Sequence, residues 1–201
     1  MRRRRSFKPF ILFNTALLRD PVLLVVAMIS FGAGYGIQEF FKEPGTPALI
    51  QSQEGILCQT CFTPTYHCLP LILETIQKAQ KTIKMQCYSF TSKEIANALV
   101  EAHQKGIKVT VIADKSQRTD SHTQVGELAR QGIDVLFDTK PAISHGKILV
   151  TDDTTVLTGS YNFTRAAEHR NAENFIIIKN KDIAQQYVQN FNQRLAVSVS
   201  N

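Results

Sequence analysis

The chain has 201 residues, with 23 Lys plus Arg against 17 Asp plus Glu and a formal charge of +6. That length suits one domain of ordinary size with an appendage, and it is enough for a core that needs no disulfide or metal staple. A composition 43% hydrophobic and 20% charged excludes wholesale disorder and a multi-span membrane protein, and four cysteines exclude a disulfide-built scaffold.

Arg2, Arg3, Arg4, Arg5, Lys8 and Arg19 precede the first long apolar run, with Asp20 the only acid among them. Without residues 1–20, 17 Lys plus Arg face 16 Asp plus Glu. The chain behind the N-terminus is therefore nearly neutral, and a pI near 9.2 is no argument for a basic binding face. Pro21 to Ile37 is a stretch of 17 residues without a charge. A basic segment followed by an apolar one is the pattern of an export signal or signal anchor. Residues 1–41 are expected to take that role, which places the domain outside the cytoplasm as a secreted, periplasmic or anchored protein. The bland alternative is a buried N-terminal helix. Residues 42–55, with Pro44, Gly45 and Pro47, read as a linker, and the folded domain is expected over 56–201.

Cys58 and Cys61 are spaced C-x-x-C, with His67 and Cys68 close behind, but no matching second half supplies a zinc ligand set. Neither a metal nor a cofactor is expected. In an oxidising compartment Cys61 and Cys68 can close a loop around Pro64, leaving Cys58 unpaired or competing with Cys61 for Cys68. Helical spacing follows over Leu69 to Gln80, then strand alternation over Thr82 to Phe90, where Cys87 is a small buried hydrophobe. A helix is expected over Ser92 to Lys105, with Ser92 as N-cap and Gly106 as its stop, then a β-branched strand over Ile107 to Ala113. Ser121 to Gln131 reads as a helix and Ile133 to Phe137 as a short strand. Lys147 to Val150 and Thr155 to Thr158 read as strands joined by a polar turn. Phe175 to Lys179 is a further strand and Asp182 to Leu195 a closing amphipathic helix. This alternation predicts an α/β fold, a mixed β-sheet flanked by helices on both faces.

The chemistry concentrates in His145-Gly146-Lys147, four residues to Asp152, then six more to Gly159-Ser160-Tyr161-Asn162. Strand residues two apart share a face, so His145 and Lys147 can project together. An imidazole beside a fixed ammonium suits attack on an anionic phosphorus centre: His supplies the nucleophile or acid, and Lys neutralises non-bridging oxygens. Ser160 and Asn162 add hydroxyl and amide donors for the same oxygens. Asp152, on a turn, is better cast as a structural hydrogen-bonding residue than as a base. Glu173 can accept from the second imidazole nitrogen and so fix its tautomer. Phe90, Tyr161 and Phe163 can line the site mouth or belong to the core, and Arg165 and Arg170 can contact a phosphate or be solvated. His103, His122 and His169 read as surface residues.

This string is similar to the HKD motif of the phospholipase D superfamily, H-x-K-x4-D-x6-G-S-x-N, at every defining position. The resemblance extends from Tyr88-Ser89-Phe90 to Asn174 and covers nearly all of the domain. It is strongest with small single-motif bacterial members, the secreted Nuc-type endonucleases and short secreted phospholipase D enzymes. The segment from Cys61 to Cys68 resembles the latter. The resemblance implies an α-β-α sandwich with one motif per chain and a metal-independent, ping-pong phosphodiesterase with a phosphohistidine intermediate. It assigns a catalytic set of His145, Lys147, Asp152 and Glu173, with the phosphate held by Lys147, Ser160 and Asn162. It also implies a homodimer in which two copies of His145 share one active site.

Three functions compete. The first is an exported phospholipase D that releases the headgroup of a membrane phospholipid, tethered or delivered through the N-terminal segment. The second is a non-specific endonuclease, which the absence of a dense basic run in the domain disfavours. The third is a membrane-tethered binding protein with a dead motif, against which the intact His145, Lys147, Asn162 and Glu173 argue.

Overall fold

The computed structural model describes residues 49–51 and 56–200. The expected export segment 1–41 and most of the expected linker lie outside the described residues. Within the linker stretch, Leu49–Gln51 forms strand β1, paired antiparallel with β2, Leu57–Thr63. Helix α1 (Leu69–Gln77) leads to β3 (Thr82–Cys87), α2 (Lys93–Gln104), β4 (Lys108–Asp114) and a 3₁₀ turn at Lys115–Arg118. Then come α3 (Val125–Arg130), β5 (Asp134–Asp138) and the hairpin of β6 (Lys147–Thr151) and β7 (Thr155–Gly159). Helix α4 (Arg165–His169), β8 (Glu173–Lys179) and α5 (Lys181–Leu195) complete the chain.

The strands form one mixed sheet in the order β1-β2-β8-β7-β6-β3-β4-β5. β3, β4 and β5 run parallel through helical crossovers, while β6, β7, β8 and β2 pair antiparallel. The antiparallel β3–β6 seam joins the two halves. Leu149 and Leu157 face one side of the sheet with Ile72, Ile76, Ile95 and Leu99 of α1 and α2. Val150 and Val156 face the other, under Ala184 and Val188 of α5. The one-residue offset between these sets is the pleat alternation, and it puts helices on both faces as the sequence predicts.

Local chemistry explains the element boundaries. The Ser92 side chain accepts from the Ile95 N–H, capping α2, and Gly106 at φ 86° ends it in a conformation that carries no Cβ penalty. The expected helix from Ser121 begins only at Val125. The His122 N–H is taken by Asp120 and the Gln124 N–H by the Phe90 carbonyl, so this backbone is committed elsewhere. Local pattern does not announce α4, which has five residues, or β2, which is only half-buried along most of its length.

Cys61 and Cys68 are disulfide-bonded, with Cα atoms 5.7 Å apart, while Cys58 and Cys87 are free. Cys58 does not compete for Cys68: three residues from Cys61 on one strand, it projects to the opposite face. The bridge ties the end of β2 to the N-cap of α1 across a separation of seven residues. Replacing both cysteines by alanine is expected to cost about 2–3 kcal/mol of unfolding free energy, measured by urea denaturation. Non-reducing peptide mapping should recover the Cys61–Cys68 pair alone, and a Cys58 pair in its place would refute the arrangement.

Candidate active site

One end of the sheet collects the chemistry. Cys87 pairs with Lys147 across β3–β6, Gly159 with Phe175 across β7–β8, and Thr63 with Glu173 across β2–β8. Residues that follow β3 and β7 therefore meet residues that precede or open β6 and β8. Gly159 is required for this closure. A Cβ there would stand 2.2 Å from the Asn174 carbonyl oxygen and 2.6 Å from Phe175 Cα, both backbone. Beyond it, the Ser160 and Tyr161 N–H groups both donate to the Asn174 carbonyl, at 2.9 and 3.2 Å.

Lys147 is buried, 5% exposed, on the first residue of β6. Its Nζ donates to the His145 carbonyl at 2.9 Å and lies 5.0 Å from the centroid of the Tyr88 ring. Burial lowers the lysine below its ordinary pKa, and the negative charge of Glu173 partly opposes that shift. Cys87, beneath it, is pushed up to about 12, chiefly by burial and then by Asp114. That sulfur is a thiol, so Lys147 has no thiolate partner.

His145 is exposed, and its imidazole lies 4.5 Å from the Tyr88 ring at an interplanar angle of 55°. The expected hydrogen bond from this imidazole to the Glu173 carboxylate is absent among the described residues. The Glu173 carboxylate instead accepts from the Ser160 hydroxyl at 2.6 Å and from the Asn171 side-chain amide at 3.0 Å. The reason is the strand order: β7 lies between β8 and β6, so a residue at the end of β7 reaches Glu173 first. Ser160 is thereby placed differently from its expected phosphate-binding role. Its hydroxyl donates to Glu173 and accepts from the Asn174 N–H at 3.1 Å, which makes it a brace for the carboxylate. Asn162 follows β7 at this end of the sheet, half-buried, and its Oδ1 is a buried polar atom with no hydrogen-bond partner among the described residues. That oxygen is an acceptor, so it is the amide N–H of Asn162 that can meet a phosphate oxygen.

Asp152 is absent from this end. It lies on the β6–β7 turn at the far end of the hairpin, with Asp152 and Asp153 at φ 53° and 56°. Asp tolerates that left-handed backbone, and the turn twists as a hairpin requires. The Asp152 carboxylate accepts from the N–H groups of Gln80, Lys81 and Thr82 and so pins the start of β3 to the turn. Its inclusion in the catalytic set is corrected to the structural role that its turn position suggested. Phe90, Tyr161 and Phe163 belong to the core, each no more than 1% exposed, and do not line a mouth.

α4, which separates Asn162 from Glu173, is held from below. Buried Glu168 accepts from the Tyr161 hydroxyl at 3.0 Å and the Leu69 N–H at 2.9 Å. The Thr63 hydroxyl lies 2.8 Å from the Ala167 carbonyl and accepts from the Glu173 N–H at 3.2 Å. Burial, together with Glu168, raises the Tyr161 pKa, so that group remains a neutral donor. Arg165, His169 and Arg170 are on the exposed side of α4, and His122 is exposed on its loop. The residue that the sequence reading passed over is Tyr88, which touches both His145 and Lys147. Finding it requires the β3–β6 pairing, which no local pattern encodes.

A family model described as "Cardiolipin synthase, PLD-like domain" matches residues 72–195. A phospholipase D of Rickettsia typhi is 41% identical over 137 residues, covering 68% of this chain and 67% of the relative. A mitochondrial cardiolipin hydrolase of Xenopus tropicalis is 31% identical over 150 residues, 72% of this chain and 71% of that one. Among solved structures, the phospholipase D family member Nuc from Salmonella typhimurium superposes with a TM-score of 0.68 at 32% identity. That match covers 71% of this chain and 96% of Nuc. With an exposed imidazole, a buried ammonium and an amide at one sheet end, and with these relatives, the chain belongs to the phospholipase D superfamily of phosphodiesterases.

Proposed function

We propose that this phosphodiesterase is an exported phospholipase D that cleaves the headgroup from membrane phospholipids, working as a homodimer with two copies of His145 at one site. The observation that carries the chemistry is the exposed His145 imidazole beside the buried Lys147 ammonium. An imidazole nitrogen of one His145 attacks phosphorus, forming an N–P bond as the P–O bond to the headgroup breaks. The departing oxygen takes a proton from His145 of the second copy. That second imidazole then accepts a proton from water as the water oxygen bonds to phosphorus, the N–P bond breaks and phosphatidate leaves. Lys147 and Asn162 hold the non-bridging oxygens as charge builds on them. A single chain brings one His145 to the site, and no other described histidine stands beside it, so a second copy is the economical source of the acid.

The lipid assignment draws on the relatives named phospholipase D and cardiolipin hydrolase and on the near-neutral charge behind residue 20. Export draws on the basic and apolar order of residues 1–41 and on the Cys61–Cys68 disulfide, which suits an oxidising compartment. The match to nearly the whole of Nuc favours a second reading, a non-specific endonuclease.

The purified full chain, in EDTA, is to be assayed on phospholipid vesicles and on plasmid DNA. Headgroup release without nicking is expected; nicking without headgroup release selects the nuclease. His145→Ala should lower turnover at least about a thousandfold on whichever substrate is cut. Sedimentation at assay concentration should give two copies per active particle, and an active monomer would overturn the shared site. Turnover that needs the Lys147 ammonium is complete below its pKa and falls as pH rises through it. Because burial lowers that pKa in the free enzyme, the alkaline limb of kcat/KM should lie below the ordinary lysine range. A limb at or above that range refutes this role for Lys147.

A further inference from the structure

We propose that Tyr88 is a positioning residue for the reaction, its aromatic ring setting the relative placement of the His145 imidazole and the Lys147 ammonium. The inference rests on the reading of His145 as nucleophile and Lys147 as phosphate ligand.

Tyr88 is the first residue beyond β3, and the chain bends there out of the strand. Its ring centroid is 4.5 Å from that of His145 and 5.0 Å from Lys147 Nζ. Both groups therefore rest against one half-buried aromatic surface. Neither makes a hydrogen bond to another side chain among the described residues. The imidazole makes no side-chain hydrogen bond among the described residues, and the ammonium donates to a backbone carbonyl, that of His145. The nearest carboxylate, Glu173, is bonded to Ser160 and Asn171. The negative face of an aromatic ring attracts both an ammonium and a protonated imidazole, and its edge limits the rotamers open to each. The property that matters is the ring, because the Tyr88 hydroxyl makes no hydrogen bond among the described residues. Attack on phosphorus needs the nitrogen in line while the lysine holds the equatorial oxygens. A misplacement of about 1 Å costs on the order of a hundredfold in rate.

The test uses the full chain on bis(4-nitrophenyl) phosphate in EDTA, a soluble phosphodiester whose turnover does not depend on the lipid assignment. Tyr88→Phe is expected to keep kcat within about twofold, since the ring remains. Tyr88→Leu should lower kcat about tenfold to a hundredfold with little change in KM, and with an unchanged thermal midpoint. His145→Ala serves as the reference. If it retains turnover, the active-site reading itself fails. If it is dead while Tyr88→Leu matches the parent, only the Tyr88 proposal fails. Equal losses in the Phe and Leu variants would move the function from the ring to the hydroxyl and overturn the proposal. A drop in thermal midpoint confined to the Leu variant, with activity lost in proportion to unfolded protein, would reduce Tyr88 to a packing residue.

Discussion

The buried ammonium of Lys147 is the constraint to which the catalytic end of the sheet answers. Taking a charge out of water is costly unless its surroundings compensate. Here the compensation comes from three directions: the His145 carbonyl, the face of Tyr88 and the field of Glu173. The carbonyl is local, two residues away in sequence, but the other two come from distant parts of the chain and must be delivered by the fold. The β3–β6 seam brings Tyr88, and the β2–β8 and β7–β8 pairings bring Glu173. The compensation is incomplete, and the residual is visible as a lysine pulled below its ordinary pKa. An ammonium left short of negative partners is well matched to a phosphodiester, which supplies the missing charge when it binds.

The neighbouring groups have a division of labour. His145 is exposed, as suits a group that must meet a substrate. Glu173 and Ser160 are tied to each other and to backbone, with Thr63 and Glu168 fixing the strand and helix around them. Braced groups surround an exposed imidazole. The intact set leaves little room for a protein that binds phosphodiesters without cleaving them.

Much of this was legible in the sequence, for reasons of period and spacing. The alternation of helical and strand patterns predicts the mixed sheet with helices on both faces, and the placement of α2 between Ser92 and Gly106 follows from capping chemistry. His145 and Lys147 are recognisable by their spacing, but His145 lies two residues before β6 opens, and the two side chains meet at the Tyr88 ring rather than on a shared strand face. Long-range pairing is what the sequence hides. The partnership of Glu173 with Ser160 depends on β7 lying between β8 and β6, a fact of strand order. Tyr88 depends on the same kind of fact. The independence of Cys58 follows from strand parity, but only once β2 is known to be a strand.

The hairpin of β6 and β7 gives the spacing of the sequence motif a mechanical meaning. Lys147 and Gly159 stand at the open end and Asp152 at the closed end, about 16 Å away along the strand direction. The intervals of the motif are then lengths: one strand up, a turn clamped by the Asp152 carboxylate, one strand down. Such a stretch acts as a ruler, and its residues need not be chemically special to be indispensable. A single inserted or deleted residue would leave every named side chain in place in the sequence while turning those beyond it to the wrong face of the sheet. The motif thus records a distance as well as a set of reagents.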